Sequence, residues 1–380
     1  MAIGQYEIWL DHWNGTRLAF IDGWLNLEYT RALHGVGALA LQVPSSFDDA
    51  MLQVDYKIEV WRALPGEAKR LENVYLIRGW KQWTDQAGVN YTTIIGVDGN
   101  DVLKRRFVWA QPGSTQARKT DNACDLIKAY MREALTTADA YGTDPQDWRG
   151  QIATYFTVAA DDGLGQSFTK NYEGKTLFDV ANGIAETSTG RGTVVWWYVC
   201  PVSGAEYQLR TYTPLLGQDL TGQVTLTPDF AMAEGNHEYS GIDEFNMVVG
   251  WGGKIGWAEH PDYRKSDDAY NLASIRKSAF SWREKFLDCG DEPDYDAIAD
   301  ACIEEVTNAD NLAQQTFQCG LSELENFRYG REWDFGDKVK LSYRGVQMDA
   351  VVKTVHVTVG ATERIEVFFK IDQTLNIQTS

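Results

Sequence analysis

Residues 338–371 read KVKLSYRGVQMDAVVKTVHVTVGATERIEVFFKI, and this stretch decides the fold class. Three runs rich in β-branched and aromatic residues are separated by two short turns that contain glycine, a pattern typical of an antiparallel meander. Since side chains alternate along a strand, Val351 and Val355 are expected on one face of the middle strand and Val352 on the other. Residues 365–371 alternate likewise, so one face of the sheet is expected to be buried.

The first hundred residues show the same kind of pattern. Between residues 6 and 98, short β-rich runs are broken by turn residues such as Asn14-Gly15, which predicts six or seven antiparallel strands in a barrel or sandwich. A short charged run, a longer run and a return run follow one another at 57–97 and again at 338–371. This pseudo-repeat has no residue identity behind it, so a chance similarity of two meanders is the alternative.

The middle of the chain has helical character. Between Ala123 and Ala134, apolar residues recur at spacings of three and four, which places them on one helical face. Thr176, with Asp179 three residues on, is typical of a helix N-terminus. Strand-like runs lie between and after these two helices, so an α/β module is expected. An acidic stretch further along predicts a helix around residues 294–308.

The charge of the chain limits the classes of ligand. Among 380 residues, 35 Lys and Arg stand against 54 Asp and Glu, and the net charge is −19. Such a surface disfavours a phosphate-binding footprint, so nucleic acid is not expected as a specific ligand. Fourteen of the acidic residues fall within 284–334, where only three residues are basic. This segment is either a solvated acidic face or a surface that repels polyanions or meets a basic partner.

The cysteines and the apolar runs predict the compartment. The five cysteines are an odd number, lie far apart and form no C-x-x-C pair, which is not a disulfide framework. No basic residue precedes an apolar stretch at the N-terminus, so no secretory signal is predicted. The longest apolar run, residues 194–200, is far shorter than the roughly 20 residues of a membrane-spanning helix. Synthesis and folding in a reducing cytoplasm are expected.

No motif for catalysis, nucleotide binding or metal binding is complete. Gly174-Lys175-Thr176 resembles the end of a P-loop but lacks the loop's first glycine. The five histidines are scattered, and no nucleophile elbow occurs. The carboxylates at 291–296 could converge on calcium, yet their spacing is not that of an EF-hand loop. We therefore predict a protein that is not an enzyme and has no cofactor or metal.

Aromatic residues are abundant, with 14 Trp, 18 Tyr and 15 Phe. Trp196-Trp197-Tyr198 lies in a predicted strand, where neighbouring side chains face opposite sides of the sheet. One of each neighbouring pair would then pack in the core, and the other would be available to a partner. Core packing is one interpretation of these residues, and an exposed platform for a sugar or a protein is the other.

Short motifs in a fixed order extend along nearly the whole chain. They begin with Tyr6-Glu-Ile-Trp9, a strand pair at 22–31 and Gly35-Val-Gly37, and continue through Arg78-Gly79-Trp80 and 96–106. They end with Tyr329-Gly-Arg-Glu-Trp-Asp-Phe-Gly-Asp337, before the final meander. In these motifs the chain resembles the siphophage tail-hub family, the baseplate hub proteins related in fold to the hubs of contractile tails and injection machines. The residues that match the family pattern are Arg78, Gly79, Arg106, Gly330, Gly336 and Asp337.

The resemblance implies an α+β, mainly β fold with two antiparallel β-barrel, tube-like domains. The expected boundaries are 1–106 for the first barrel, 107–215 for the α/β module, 216–283 with 311–380 for the second barrel, and 284–310 for an acidic helical insertion. Three such chains would present six barrels in a ring, as a homotrimeric adaptor between a six-fold tail tube and a three-fold tip and as part of the DNA conduit. The acidic residues that would form an interface or face the lumen are Asp291, Glu292, Asp294, Asp296 and Asp300.

The resemblance also implies partners and a location. The partners are the distal tail protein, the tape-measure protein and tail-tip or fibre proteins, with DNA only in passage during ejection and no membrane segment. The location is the virion tail tip of a siphovirus, after assembly in the host cytoplasm. An equivalent hub of a phage-derived particle fits the same residues. The alternative from a different class is a carbohydrate-binding module or a glycan-active tail protein that uses exposed tryptophans.

Overall fold

The computed structural model describes residues 4–108, 117–136, 152–172, 174–240, 247–251, 263–265, 283–289, 298–299, 301–302, 305, 314–321, 324 and 327–371. The first β region, residues 4–97, has seven strands and one 3₁₀ helix at Asp49–Met51. The strands are β1 Gln5–Asp11, β2 Arg17–Phe20, β3 Asn26–Ala32, β4 Ala38–Pro44, β5 Lys57–Ala63, β6 Arg70–Thr84 and β7 Asn90–Val97.

The α/β module, residues 101–212, follows directly. Thr176 accepts a hydrogen bond from the Asp179 N–H at 3.1 Å, so the predicted helix start at this threonine is confirmed. A π-helical segment, Arg132–Thr136, extends the second helix. The elements are α1 Asp101–Lys104, β8 Ala117–Asn122, α2 Ala123–Met131, β9 Phe156–Val158, β10 Ser167–Tyr172, α3 Leu177–Gly190, β11 Trp196–Pro201 and β12 Tyr207–Tyr212.

The last β region, residues 225–371, contains the final meander. Its three strands have the bounds that the apolar runs and turns predict. The strands of this region are β13 Thr225–Leu226, β14 Met232–Ser240, β15 Met247–Trp251, β16 Tyr263–Lys265, β17 Glu284–Asp288, β18 Gln314–Leu321, β19 Lys338–Tyr343, β20 Val346–Val359 and β21 Glu363–Ile371.

Strands from both β regions pair into one 13-stranded sheet. Its order is β14-β18-β21-β20-β3-β4-β7-β6-β5-β1-β2, and β19 pairs with both β20 and β13. The link between the two regions is the antiparallel pair of β3 and β20, in which Ala32 lies opposite Thr354 and Leu27 opposite Val359. The α+β, mainly β fold class predicted from the sequence is confirmed.

The middle strand of the meander departs from strict alternation. The register of β20 against β21 shifts between Val352 and Thr354. Val352 lies opposite Phe369 and Val355 opposite Val367, so the two valines share one face. The expectation that they lie on opposite faces is wrong, because the bulged residue resets the alternation.

Strand β11 lies between two apolar cores. The larger core contains residues of both β regions together with Trp196 and Tyr198, and the smaller core lies beneath α2 and α3 and contains Trp197. All three aromatic side chains are buried, with exposures of 2%, 0% and 2% along 196–198. The expectation that one of each neighbouring pair is available to a partner is wrong here, because both faces of this strand are covered.

Residues 284–288, the start of the predicted helical insertion, form a strand. β17 pairs in parallel with β15, and Glu284 lies opposite Met247. Its side chains alternate between half-buried and exposed, which is the period of a strand and not of a helix. Residues 298–299, 301–302 and 305 are helical, and the rest of the helix predicted around 294–308 lies outside the described residues. Within the part of the chain that the structure describes, no helix is long and apolar enough to span a membrane.

Candidate functional site: a charged joint between the two β regions

A tight turn at 329–337 leads into β19 and forms the centre of the site. Gly330 has a left-handed φ of +86°, and its N–H donates to the Trp333 carbonyl at 2.7 Å. Gly336 is also left-handed, with a φ of +89°. Glycine adopts this conformation without the steric cost that a Cβ brings, so the two glycines permit the reversal of the chain.

The Asp337 carboxylate closes this turn and ties it to the rest of the fold. It accepts hydrogen bonds from the Asp334 N–H and from the Gln218 N–H, both at 2.7 Å. Burial raises the pKa of Asp337, and these main-chain donors oppose that effect because they stabilise the charged form. The turn is therefore held in one position relative to the segment that precedes β13.

Arginines of the first β region reach into the turn. Arg70 of β6 contacts the Asp334 carboxylate at 2.7 Å. Arg31 of β3 donates to the Tyr329 hydroxyl at 2.8 Å and lies 3.5 Å from Asp334. The Tyr329 hydroxyl donates in turn to the buried Glu72 carboxylate at 3.1 Å. One tyrosine of the last β region thus connects a cation and an anion of the first.

Arg62 of β5 forms the most deeply buried contact. Its Nη1 donates to the Tyr329 carbonyl at 2.8 Å, and its Nε donates to the Glu363 carboxylate at 2.9 Å and to the Tyr6 hydroxyl at 3.0 Å. Glu363 is the first residue of β21. The Arg62 and Glu363 side chains are 1% and 5% exposed. This pair therefore joins the first β region to the last strand of the meander.

Among the described residues, these contacts form one cluster, the charged joint, in which three guanidinium groups meet three carboxylates. Pairing with an opposite charge suits the buried members Arg62, Glu72 and Glu363, because an unpaired ion there loses its hydration without compensation. Burial opposes charge on Arg62, but Tyr6 and Glu363 outweigh it and raise the pKa of the guanidinium. Burial raises the pKa of Tyr329, so its hydroxyl stays a neutral donor. The members of the charged joint are Arg31, Arg62, Arg70, Glu72, Asp334 and Glu363.

The chemistry of the charged joint is that of a cross-link. Its cations and anions are engaged with one another, and its tyrosine hydroxyl is fully buried. Within the described ranges, no three His, Cys, Asp or Glu side chains are arranged to hold a metal ion.

Three of the residues that match the family pattern lie in the turn of the charged joint. A Cβ on Gly330 would lie 2.5 Å from the guanidinium carbon of Arg70. A Cβ on Gly336 would lie 2.2 Å from Leu216 Cδ2. Asp337 closes the turn through its contacts with the main chain of Asp334 and Gln218. The two glycines are thus required both by backbone conformation and by the close approach of a neighbour.

The other three family-pattern residues lie elsewhere. Arg78 lies at the register shift of β6 and contacts Asp55 at 2.6 Å. Open space surrounds the position where a Cβ would stand on Gly79. Arg106 follows α1, and burial lowers the pKa of its guanidinium. The acidic residues predicted for an interface or lumen lie outside the described residues: Asp291, Glu292, Asp294, Asp296 and Asp300.

Sequence reasoning missed Arg62, Glu72 and Glu363. A usable signal exists for the first two, because each is a charged residue within a run that otherwise predicts a buried strand. A charged side chain in such a place requires a partner of opposite charge. The sequence does not say which residue that partner is.

A second group of contacts fixes the α/β module against the first β region. Asn100 donates to main-chain carbonyls at 32 and 35 and accepts from the Val199 N–H at 2.9 Å. His34 accepts from the Trp197 N–H at 3.2 Å and stacks on that indole, with ring centroids 5.5 Å apart. Burial lowers the pKa of His34, which keeps the ring neutral and able to accept.

The fold that positions these contacts is similar to that of three tail proteins of known structure, two of them from prophages. The chain is similar to the prophage MuSo2 43 kDa tail protein from Shewanella oneidensis, with a TM-score of 0.59, 10% identity and coverage of 96% of this chain and 98% of that one. A tail protein from Neisseria meningitidis MC58 matches with a TM-score of 0.55 and 11% identity, and the match covers 97% of each chain. The prophage tail protein gp18 from Listeria monocytogenes EGD-e matches with a TM-score of 0.51 and 10% identity, and the match covers 98% of this chain and 97% of that one.

The chain belongs to the siphovirus ReqiPepy6 Gp37-like family, whose model matches residues 5–245. This range contains the first β region, the α/β module and β13 and β14. Among curated proteins, none matches the chain. The resemblance to siphophage tail-hub proteins, based on short motifs in a fixed order, is confirmed.

Proposed function

We propose that this protein is the structural hub of a siphophage tail tip, a homotrimer that joins a six-fold tail tube to a three-fold tip. Its family and its fold support a place in the phage tail. The role of an adaptor is supported by the charged joint together with the pairing of β3 and β20. Both hold the two β regions of one chain in a single sheet.

An adaptor between six-fold and three-fold rings needs two similar units per chain in a fixed relation. β5–β7 and β19–β21 are both antiparallel meanders, and both middle strands carry a register shift, at 77–79 and at 352–354. In a trimer, two such regions per chain make six. We assign 1–106 and 216–283 with 311–380 to two barrels around a conduit, 107–215 to the α/β module and 284–310 to the acidic insertion.

The net charge of −19 supports a conduit for DNA, because like charges keep a polyanion from adhering to the wall during ejection. We propose a structural role without catalysis, since the charged groups of the joint are engaged with one another. The proposed partners are the distal tail protein, the tape-measure protein and tail-tip or fibre proteins. The proposed location is the virion tail tip, after assembly in the host cytoplasm.

Light scattering of the full chain across a concentration series tests the homotrimer. We expect a mass of three times 42.8 kDa, and ring-shaped particles with a bore in electron micrographs. Two salt concentrations are compared, because dense like charges oppose assembly at low ionic strength. A mass of one chain at every concentration and at both salts, without rings, would refute the homotrimer.

A second candidate function, glycan binding, is favoured by exposed tryptophans. Trp80 and Trp83 are 39% and 36% exposed on the hairpin of β6 and β7. Trp83 packs against Tyr91 with ring centroids 4.8 Å apart, and its indole N–H donates to Thr93 at 3.1 Å, so the ring is held in place. A fixed indole face suits stacking on a sugar. Binding on a glycan array that Trp83→Ala abolishes would support this function, and an array without signal would exclude it.

A further inference from the structure

Two carboxyl groups meet in a buried position where β1 pairs with β5. Asp11 is 0% exposed and Glu59 is 3% exposed. Asp11 lies opposite Lys57 in the register, at a point where the pairing of β1 with β2 is irregular. Within the described part of the chain, no group donates a hydrogen bond to either carboxyl oxygen of Asp11. A buried carboxylate without donors is unfavourable, because its lost hydration is not replaced.

The turn between β11 and β12 covers the two carboxyl groups. A Cβ on Gly204 would lie 2.5 Å from Asp11 Oδ2 and 1.8 Å from Glu59 Oε1, so the main chain of the turn lies directly against both. Lys57 Nζ donates to the carbonyls of Gly204 and Ala205 at 3.0 and 2.7 Å. The turn of the α/β module is therefore tied to the first β region immediately above the carboxyl pair.

The neighbouring charges satisfy Glu59 better than they satisfy Asp11. Arg17 donates to Glu59 Oε2 at 2.9 Å, and the Trp61 indole donates to the same oxygen at 2.7 Å. The charged groups that face Asp11 are Arg17, Lys57 and Glu59. A proton on Asp11 would supply an O–H donor toward Glu59 and would remove the repulsion between two carboxylates. Burial and the neighbouring Glu59 raise the pKa of Asp11 to about 7.

We propose that a proton held by Asp11 and hydrogen-bonded to Glu59 forms a pH-operated latch that holds the 203–205 turn closed against the first β region. With the proton in place, the two carboxyl groups hydrogen-bond to each other beneath the turn. When the proton leaves, two buried carboxylates repel, and opening of the turn hydrates them. The closed form binds the proton at pH values where an exposed aspartate has lost it. Closure is therefore favoured at low pH and weakens as the pH rises toward neutrality.

Hydrogen exchange of the full chain tests the latch at the amides of Val202 and Ser203, which donate to the Glu206 carbonyl at 2.8 and 3.3 Å. After correction for the intrinsic exchange rate, we expect the opening constant to rise about tenfold per pH unit between about pH 5 and pH 7, and to level off above. Asp11→Asn cannot ionise, and its opening constant is expected to stay level across this range. Asp219→Asn, at an exposed position that pairs with Lys338, is the matched control and should keep the wild-type slope.

An Asp11→Asn variant with the wild-type pH dependence would overturn the proposal. Should this variant fail to fold, Glu59→Gln gives a second test. Its amide removes the neighbouring negative charge and can donate to Asp11, so the rise in the opening constant is expected to move to lower pH. An unchanged profile in Glu59→Gln would equally overturn the latch. Neither outcome depends on the proposed hub function, which is tested by mass and particle shape.

Discussion

Replacing Arg62 by methionine tests the charged joint where it is most deeply buried. Among the described residues, the guanidinium of Arg62 donates to Glu363 at 2.9 Å, to the Tyr6 hydroxyl at 3.0 Å and to the Tyr329 carbonyl at 2.8 Å. Methionine fills a similar length but leaves the Glu363 carboxylate, 5% exposed, without its cation. Removal of one member of a buried ion pair costs about 3–5 kcal/mol, so we expect the free energy of unfolding to fall by that amount.

Urea denaturation at fixed protein concentration, followed by circular dichroism, measures this loss. Arg364→Met is the matched control, because Arg364 contacts Glu234 at 2.9 Å with exposures of 56% and 76%. An exposed pair of this kind contributes less than about 1 kcal/mol. The double variant Arg62→Met/Glu363→Leu leaves neither charge buried alone and should recover part of the loss. If Arg62→Met cost no more than Arg364→Met, the role assigned to the charged joint would be refuted.

Three further variants test separate parts of the fold. Gly330→Ala is expected to lower the free energy of unfolding by about 1–2 kcal/mol because of its left-handed backbone, and by more because a guanidinium approaches closely. Gly345 is also left-handed but faces open space, so Gly345→Ala measures the backbone effect alone. Equal losses in the two variants would contradict the contact at Gly330. Trp197→Ala is expected to lower the free energy of unfolding by about 3–5 kcal/mol, and Trp80→Ala, at an exposed position, by about 0.5 kcal/mol. Similar losses for the two variants in urea denaturation would contradict the arrangement of two cores around β11. Burial lowers the pKa of His34 from 6.5, so the wild type should lose stability as the pH falls below 6.5, and His34→Asn should lose less. Identical profiles of melting temperature against pH for the two proteins would exclude this effect of His34.

The final meander could be predicted nearly to the residue because its signals are local. The apolar runs and glycine-containing turns mark β19, β20 and β21, and no distant residue is needed to interpret them. The shift at Val352 could not be predicted, because it is a property of the pairing between β20 and β21. Burial of Trp196 and Trp197 on both faces was missed for a related reason. Alternation assigns side chains to faces but does not say whether a second layer covers each face.

The residues of the charged joint and of its turn also differ in whether they could be predicted from the sequence. Gly330, Gly336 and Asp337 could be selected from a nine-residue motif, because turn conformation depends on neighbours in the chain. Arg62 and Glu363 are separated by 301 positions, and a single sequence gives no means of pairing them. With 35 Lys and Arg and 54 Asp and Glu, the chain contains many residues of opposite charge. Only the fold shows which of them pair.

The pairing of β3 with β20 also determines when the protein can fold. Ala32 and its partner Thr354 are 322 positions apart, so a ribosome working at about 5–20 residues per second delivers the second strand roughly 16–64 s after the first. During synthesis, the edge of β3 is therefore exposed in a chain that is still growing. Exposed strand edges pair readily with other chains, and contacts of such long sequence separation form slowly. The greatest risk of aggregation for this molecule falls in the interval before β20, Val346–Val359, is made.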